Sequence, residues 1–337
     1  MVPRNFTSTP WLVLLLTALL VLPALSQDEE LQEVIDKTFE VRAGGKLYID
    51  SDRGSIEVRS RNTDQLSVRV VRRPQAWSEE DELEMLRNFR IKFEQSGNTV
   101  SITGTNLQRR SGNWWNNKKM KVEFEVTVPE EFNLDLRTAG GSIEVGDIRG
   151  DVEITTAGGS LRLGHISGKT YAKTAGGSIS LAGGDGDAML KTAGGSINVG
   201  KVKGNVDANT AGGSITIDGA GGNVDAHTSG GSIKVMEVLG DINAKTSGGS
   251  VLAYIYGQPR GNCSLGTSGG SVTVYLGENV GVDLNARANG NGRIKSDFAV
   301  KGEIRKSRIS GQINGGGPIL NLHTSSGTIN ILKAERG

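Results

Sequence analysis

The chain has 337 residues, with 38 Lys plus Arg against 37 Asp plus Glu, 49 glycines, 7 prolines and one cysteine. This balance argues against bulk nucleic-acid binding, which shows as a basic excess, and the lone Cys263 excludes an internal disulfide. Glycine at about twice its usual share would suit disorder, but few prolines and a strict apolar register oppose that reading.

The chain opens as a secretory signal peptide. Arg4 is the only charge before Asp28, Trp11 to Leu22 is apolar, and Ala24-Leu25-Ser26 offers the small residues that a signal peptidase reads. The apolar stretch, about 12 residues, falls short of the roughly 20 that span a bilayer. Residues 1–26 are therefore expected to be removed, leaving an exported chain with no transmembrane anchor. Subtracting Arg4 from the 38 basic residues leaves 37, equal to the acidic count, so the mature chain is neutral.

Residues 27–137 read as irregular N-terminal β coils. Ser51-Asp-Arg-Gly-Ser-Ile-Glu-Val58 is an early half-unit of the repeat described below. Ser78-Glu-Glu-Asp81 looks like a helix cap, with Leu83, Leu86, Phe89 and Arg90 following at helical spacing. This predicts one short capping helix near 79–90, suited to covering an open sheet end. Trp114-Trp115 lies between Arg109-Arg110 and Lys118-Lys119. Interleaved bases and aromatics fit nucleic-acid or membrane-surface contact; a long hairpin loop with its rings folded onto the body is the favoured alternative.

Residues 138–280 carry the dominant signal. Gly-Gly-Ser recurs with serines at 142, 160, 178, 196, 214, 232 and 250, a period of 18, and again at Ser271 after 21. Each copy follows a threonine, from Thr138 to Thr267. Within one unit Ile143 and Val145, then Val152 and Ile154, alternate with polar residues, the pattern of two half-buried strands. A single unit cannot bury its apolar face, but stacked units can. The predicted fold is all-β, a single-stranded parallel β-solenoid with 18-residue coils, its glycines placed at corners needing positive φ. Residues 281–337 read as irregular C-terminal coils and a cap, with Leu320, Leu322, Thr324 and Ser326-Gly-Thr-Ile-Asn-Ile331 repeating the unit.

No residue set forms a catalytic signature. The column Asp151, Lys169, Asp187, Asn205, Asn223, Asp241, Asn262 reads as an Asx-type turn position bonding the local backbone rather than a metal site. Gly183-Gly-Asp-Gly-Asp187 resembles a calcium-binding nonapeptide, but its aspartate sits at the wrong offset. His165, His227 and His323 fall in different coils, with no zinc or triad spacing. No cofactor or metal is expected. The outward positions Thr155, Lys173, Lys191, Asn209, His227 and Lys245 are too mixed to match an ice lattice.

Two surface features remain as binding candidates. Tyr254, Tyr256 and Tyr275 share outward parity beside the only insertion in the repeat, around Gln258-Pro-Arg260. Such rings suit sugar stacking, or they form a stabilising ladder. Lys173, Lys191, His227 and Lys245 form a column that could meet an anionic polymer, or a solvated face. Trp114 and Trp115 complete the candidate set.

Four stretches carry a family resemblance: Gly-Ser-Ile-Glu-Val58, Val126-Thr-Val-Pro129 leading into Leu134-Asp-Leu-Arg-Thr138, the Thr-Ala-Gly-Gly-Ser units, and Asn314-Gly-Gly-Gly-Pro318 through Thr324-Ser-Ser-Gly327. Together they resemble the bacterial family named putative adhesin, exported β-solenoid domains of unknown function. The resemblance implies adhesion and brings no catalytic residues. The expected function is a non-enzymatic adhesin or scaffold of the cell envelope or exterior, binding polysaccharide or a surface protein. An envelope sensor module and a polysaccharide-cleaving β-helix enzyme are the alternatives.

Overall fold

The structure is a computed structural model that describes residues 31–107 and 119–334. The expected signal peptide and the Trp114–Trp115 pair lie outside the described residues. Two long sheets, of 14 and 15 strands among those residues, share one apolar core.

One coil shows why the sequence closes as it does. Ile143–Val145 lies in the first sheet, Ile148 bridges to the coil above, Gly150 turns the corner, and Val152–Thr156 lies in the second sheet. The chain then passes through Ala157-Gly-Gly-Ser160 into the next coil. Through the regular repeat each strand pairs in parallel with the strand 18 residues on, Ile143 with Leu161 and Val152 with Thr170. Ile143, Val145, Ile148, Val152 and Ile154 all point inward and are buried, each such side chain stabilising the stack by about 1.5–3 kcal/mol. The predicted parallel β-solenoid is the observed fold.

Three ladders of polar groups tie coil to coil. Each corner threonine from Thr156 to Thr267 donates from Oγ1 to a glycine carbonyl of the preceding coil, as Thr210 does to Gly195 O at 2.8 Å, and accepts an N–H of its own corner, as Thr210 does from Gly213 at 3.3 Å. Each corner serine Oγ accepts the N–H of the next serine, Ser178 from Ser196 at 3.2 Å. The Asx column works the same way: Asp187 Oδ1 accepts from Asn205 N at 2.8 Å, and Asn205 Oδ1 from Asn223 N at 2.8 Å. The structural reading of that column holds, with the next coil rather than the local turn as partner.

The reason for the corner glycines differs from the sequence expectation. None of the Gly-Gly-Ser glycines has positive φ. Instead, a Cβ on Gly195 would lie 2.2 Å from Gly177 O, and one on Gly213 would lie 2.1 Å from Gly195 O. Backbones stacked this closely leave no room for a methyl group. The first glycine of each pair is far less confined, with 3.2 Å to Gly176 O at Gly194.

At both ends the stacking order departs from the chain order. The coil of Gly45–Ser51 and Ser55–Arg61 lies between the coil of Phe132–Thr138 and Ile143–Val145 and the coil of Thr99–Asn106 and Lys119–Pro129. At the other end, Ile319–Thr324 and Ile329–Lys333 insert between the last repeat coil, Cys263–Thr267 and Val272–Leu276, and the coil of Val282–Ala288 and Ile294–Ser296. Antiparallel strands finish the N-terminal end and one C-terminal sheet edge: Gln65–Gln75 and Glu33–Glu40, Phe89–Ser96, and the hairpin Lys301–Arg305 with Arg308–Ile313. Charges such as Asp36, Lys37, Arg90, Lys92 and Glu303 on these outermost strands discourage further pairing.

The single helix among the described residues runs Glu79–Asn88, two residues shorter than expected, because Phe89 is fully buried as the first residue of a strand. Ser78 Oγ accepts from Asp81 N at 3.2 Å, the predicted cap. None of its residues is buried, so it is anchored mainly at its end: the buried Arg72 guanidinium donates to the carbonyls of Leu86 and Phe89. Burial without full hydration pulls the Arg72 guanidinium below its ordinary pKa.

Candidate functional site

The outer face of the second sheet carries two neighbouring columns. Arg137, Thr155, Lys173, Lys191, Asn209, His227 and Lys245 follow one another in register. Beside them run Asp135, Glu153, Tyr171, Met189, Asp207, Asp225 and Asn243. Where a Lys or Arg stands beside a carboxylate the two neutralise each other: Arg137 reaches Asp135 at 3.0 Å and Glu153 at 3.3 Å, and Lys191 reaches Asp207 at 3.8 Å, while His227 Nδ1 lies 2.7 Å from Asp225. Of the predicted basic column, Lys191 and His227 therefore have acidic neighbours.

The inserted terminal coil extends the column in a way the sequence order conceals. Lys245 is followed in register by Gly266, His323, Arg287 and Arg308. Next to these stand Ser264, Asn321, Asn285 and Ser310, all neutral. His323, which looked isolated in the sequence, thus joins three cations. Its outward parity was readable from Leu320, Leu322 and Thr324; its neighbours were not.

The three tyrosines do come together. Tyr254 and Tyr275 are paired in register, with ring centroids 4.7 Å apart and planes 8° from parallel, and Tyr256 lies 5.8 Å from Tyr254. The expected aromatic ladder is formed, with one face of Tyr254 occupied by Tyr275. Tyr256 is the exposed ring, at 39%. It lines a groove of about 930 Å³ with Gly183, Gly200, Gly219 and Leu239 among its other walls. Behind it, the insertion is fastened by Gln258, whose amide bonds both Gly281 N and Gly281 O at 2.9 Å.

His165 belongs to a surface ion-pair cluster: its Nε2 lies 3.3 Å from Asp185, which Lys203 also contacts at 2.8 Å. Those contacts, Lys203 first, hold the Asp185 carboxyl below the usual range. Among the described residues no group of three or more His, Cys, Asp or Glu is placed to hold a metal ion. No helix there is long and apolar enough to cross a membrane.

Residues 45–332 match the family described as Toastrack DUF4097. The chain belongs to that family. Solved structures similar to the chain include a "putative cell adhesion protein" from Clostridium sporogenes, 17% identical over 90% of this chain and 100% of that one, with a TM-score of 0.20. A "putative adhesin" from Bacteroides fragilis is 13% identical over 89% and 97%, with a TM-score of 0.29, and one from Parabacteroides merdae is 8% identical over the same shares, with a TM-score of 0.33. No curated protein matches the chain.

Proposed function

We propose that this Toastrack protein is an exported, non-enzymatic binding scaffold of the bacterial envelope or exterior, and that its coils present a contact surface to polysaccharide or a surface protein. The observation that carries this reading is Tyr256, an exposed ring lining a groove of about 930 Å³ beside the stacked Tyr254–Tyr275 pair. A glycine-walled groove admits a flat chain, and an aromatic face supplies stacking of about 0.5–1.5 kcal/mol per ring. Loops that interrupt a regular scaffold commonly carry binding functions, and the Gln258-Pro-Arg260 insertion is such a loop. The repeat's own serines, threonines and Asx residues are engaged in the coil-to-coil ladders, so the hydrogen-bonding chemistry of the repeat serves the stack.

The test is a glycan and cell-wall polymer binding screen on the mature protein, repeated with Tyr254, Tyr256 and Tyr275 all changed to Ala. Weakened binding with an unchanged β-sheet circular dichroism spectrum is expected. Unaltered binding by the folded triple variant would remove the tyrosine surface, and turnover of any polymer by the wild type would overturn the non-enzymatic reading.

A further inference from the structure

We propose a second binding site, distinct from the tyrosine groove: the row Lys245, His323, Arg287 and Arg308 on the second sheet holds an anionic polysaccharide through its carboxylates or phosphates. This deepens the binding-scaffold reading and rests on it. The row lines a depression of about 520 Å³ together with Ser264, Asn285 and Asn321. Among the described residues no acidic side chain lines that depression. On the same face Arg137 and Lys191 have carboxylate partners, but between Asp225 and Glu303 of the outermost strand the neighbouring column is neutral while Lys245, Arg287 and Arg308 continue the basic one. Among the described residues, Lys245, Arg287 and Arg308 make no ion pair. Like charges held on adjacent strands without counter-charges repel one another, and a bound polyanion relieves that repulsion.

The geometry selects an extended ligand. Adjacent strands place side chains about 4.8 Å apart, so the cations form a line along the stack rather than a cup around one ion. Gly266 interrupts the line between Lys245 and His323, leaving a gap of about two strand spacings. A Cβ there would meet nothing closer than 3.8 Å, so the space above the glycine is open and can take a sugar ring. The neutral amides and hydroxyls of Asn285, Asn321 and Ser264 offer hydrogen bonds to sugar hydroxyls. Among the described residues no Phe, Tyr or Trp lines the depression to stack a nucleic-acid base. Arg287 and Arg308 supply planar forks that suit carboxylate and phosphate alike.

Binding of the mature protein is measured to oligogalacturonate, to poly(glycerol phosphate) and to neutral dextran, at two salt concentrations. Gly266→Glu fills the gap with an opposing charge at a position where a side chain fits, and Arg287→Ala/Arg308→Ala removes two cations. Each is expected to weaken binding of a charged polymer about tenfold or more, with wild-type melting, while the tyrosine triple variant binds it normally. The two charged probes distinguish carboxylate from phosphate recognition. Wild-type affinity in both groove variants overturns the site. Binding of dextran alone, lost in the tyrosine variant, overturns the site but leaves the scaffold reading standing. Failure to bind any polymer removes the site and leaves the scaffold reading only its protein partner, and preferential binding of phosphatidylglycerol vesicles through the same residues overturns the polysaccharide as occupant.

Discussion

Between Phe132 and Leu276 each coil rests on the one before it in sequence; beyond those limits, coils rest on partners far away along the chain. Yet the columns do not register the change. A Cβ on Gly327 would strike Gly270 O at 2.0 Å, as Gly270 would strike Gly249 O at 2.2 Å, and Thr328 N–H donates to Ser271 Oγ at 3.2 Å as Ser271 N–H does to Ser250. Local chemistry at each corner, rather than order along the chain, defines what can stack. The difference lies in consequence: a coil inside the regular stack follows its neighbours, whereas an inserted coil holds together two segments that nothing else in the chain places side by side.

The sharpest way to break that distinction is to stop the chain at Pro318. The missing coil buries Leu320, Leu322, Ile329 and Ile331, on the order of 6–12 kcal/mol of burial at about 1.5–3 kcal/mol each. Its loss strips both the last repeat coil and Val282–Ala288 of a partner. Hydrogen exchange is expected to show the region from Val282 to Ile313 unprotected while the coils before Thr246 stay protected. Uniform loss of protection would instead mean that the whole stack unfolds as one unit.

Within the regular stack, Gly195→Val is expected to cost about 3 kcal/mol or more, because backbone stacked 2.2 Å from the new Cβ cannot yield as a side chain would. Gly194→Ala, with 3.2 Å to its nearest atom, is the control and should cost under about 1 kcal/mol. Equal melting temperatures for the two would contradict the close-stacking explanation.

Cys263 reports the junction between the two regimes, since its strand pairs with Ile242 on one side and with Leu320 of the inserted coil on the other. Burial pushes its thiol from about 9 up to about 11. The protonated form is the one stabilised, so the contribution is complete below pH 9 and disappears as the pH rises to about 11. Unfolding free energy should fall over that window by about 1–3 kcal/mol more in the wild type than in Cys263→Val. Identical alkaline profiles would contradict the burial. Native-state labelling should be slow in the full chain and fast in the chain ending at Pro318.

The smallest effect is expected at the surface ladder. Ser178→Ala removes the acceptor of Ser196 N–H at an exposed corner where water can replace it, costing under about 1 kcal/mol by urea unfolding. A larger loss would mean that the serine ladder, and not only the glycines, holds the corners.

The period and parity of the sequence were enough for the solenoid, for the inward Ile143 and Val152, and for the shared outward parity of Tyr254, Tyr256 and Tyr275, because strand pairing repeats whatever alternates. Stacking order was not legible. Gly54-Ser-Ile-Glu-Val58 and Ser326-Gly-Thr-Ile-Asn-Ile331 are recognisable as coils, but near-identical edges pair equally well with any neighbour, so letters alone do not choose one. The glycine explanation missed for a related reason: a residue chosen for closeness to the next backbone looks the same in sequence as one chosen for positive φ. The cationic row escaped because Lys245, Arg287, Arg308 and His323 become neighbours only once the terminal coil is inserted.

The inserted coil also decides how the protein would bear load. Tension applied through the C-terminus acts on Ile329–Lys333, a strand bonded in parallel on both sides, to Val272–Leu276 and Ile294–Ser296. Two ladders must slip together before that strand is released. Tension from the N-terminal side meets Glu33–Glu40 first, a sheet-edge strand bonded on one side only, whose bonds can part in succession. The protein is thus mechanically polar: under a pull at both ends it is expected to open from Glu33 inward, with its C-terminal third remaining fastened longest.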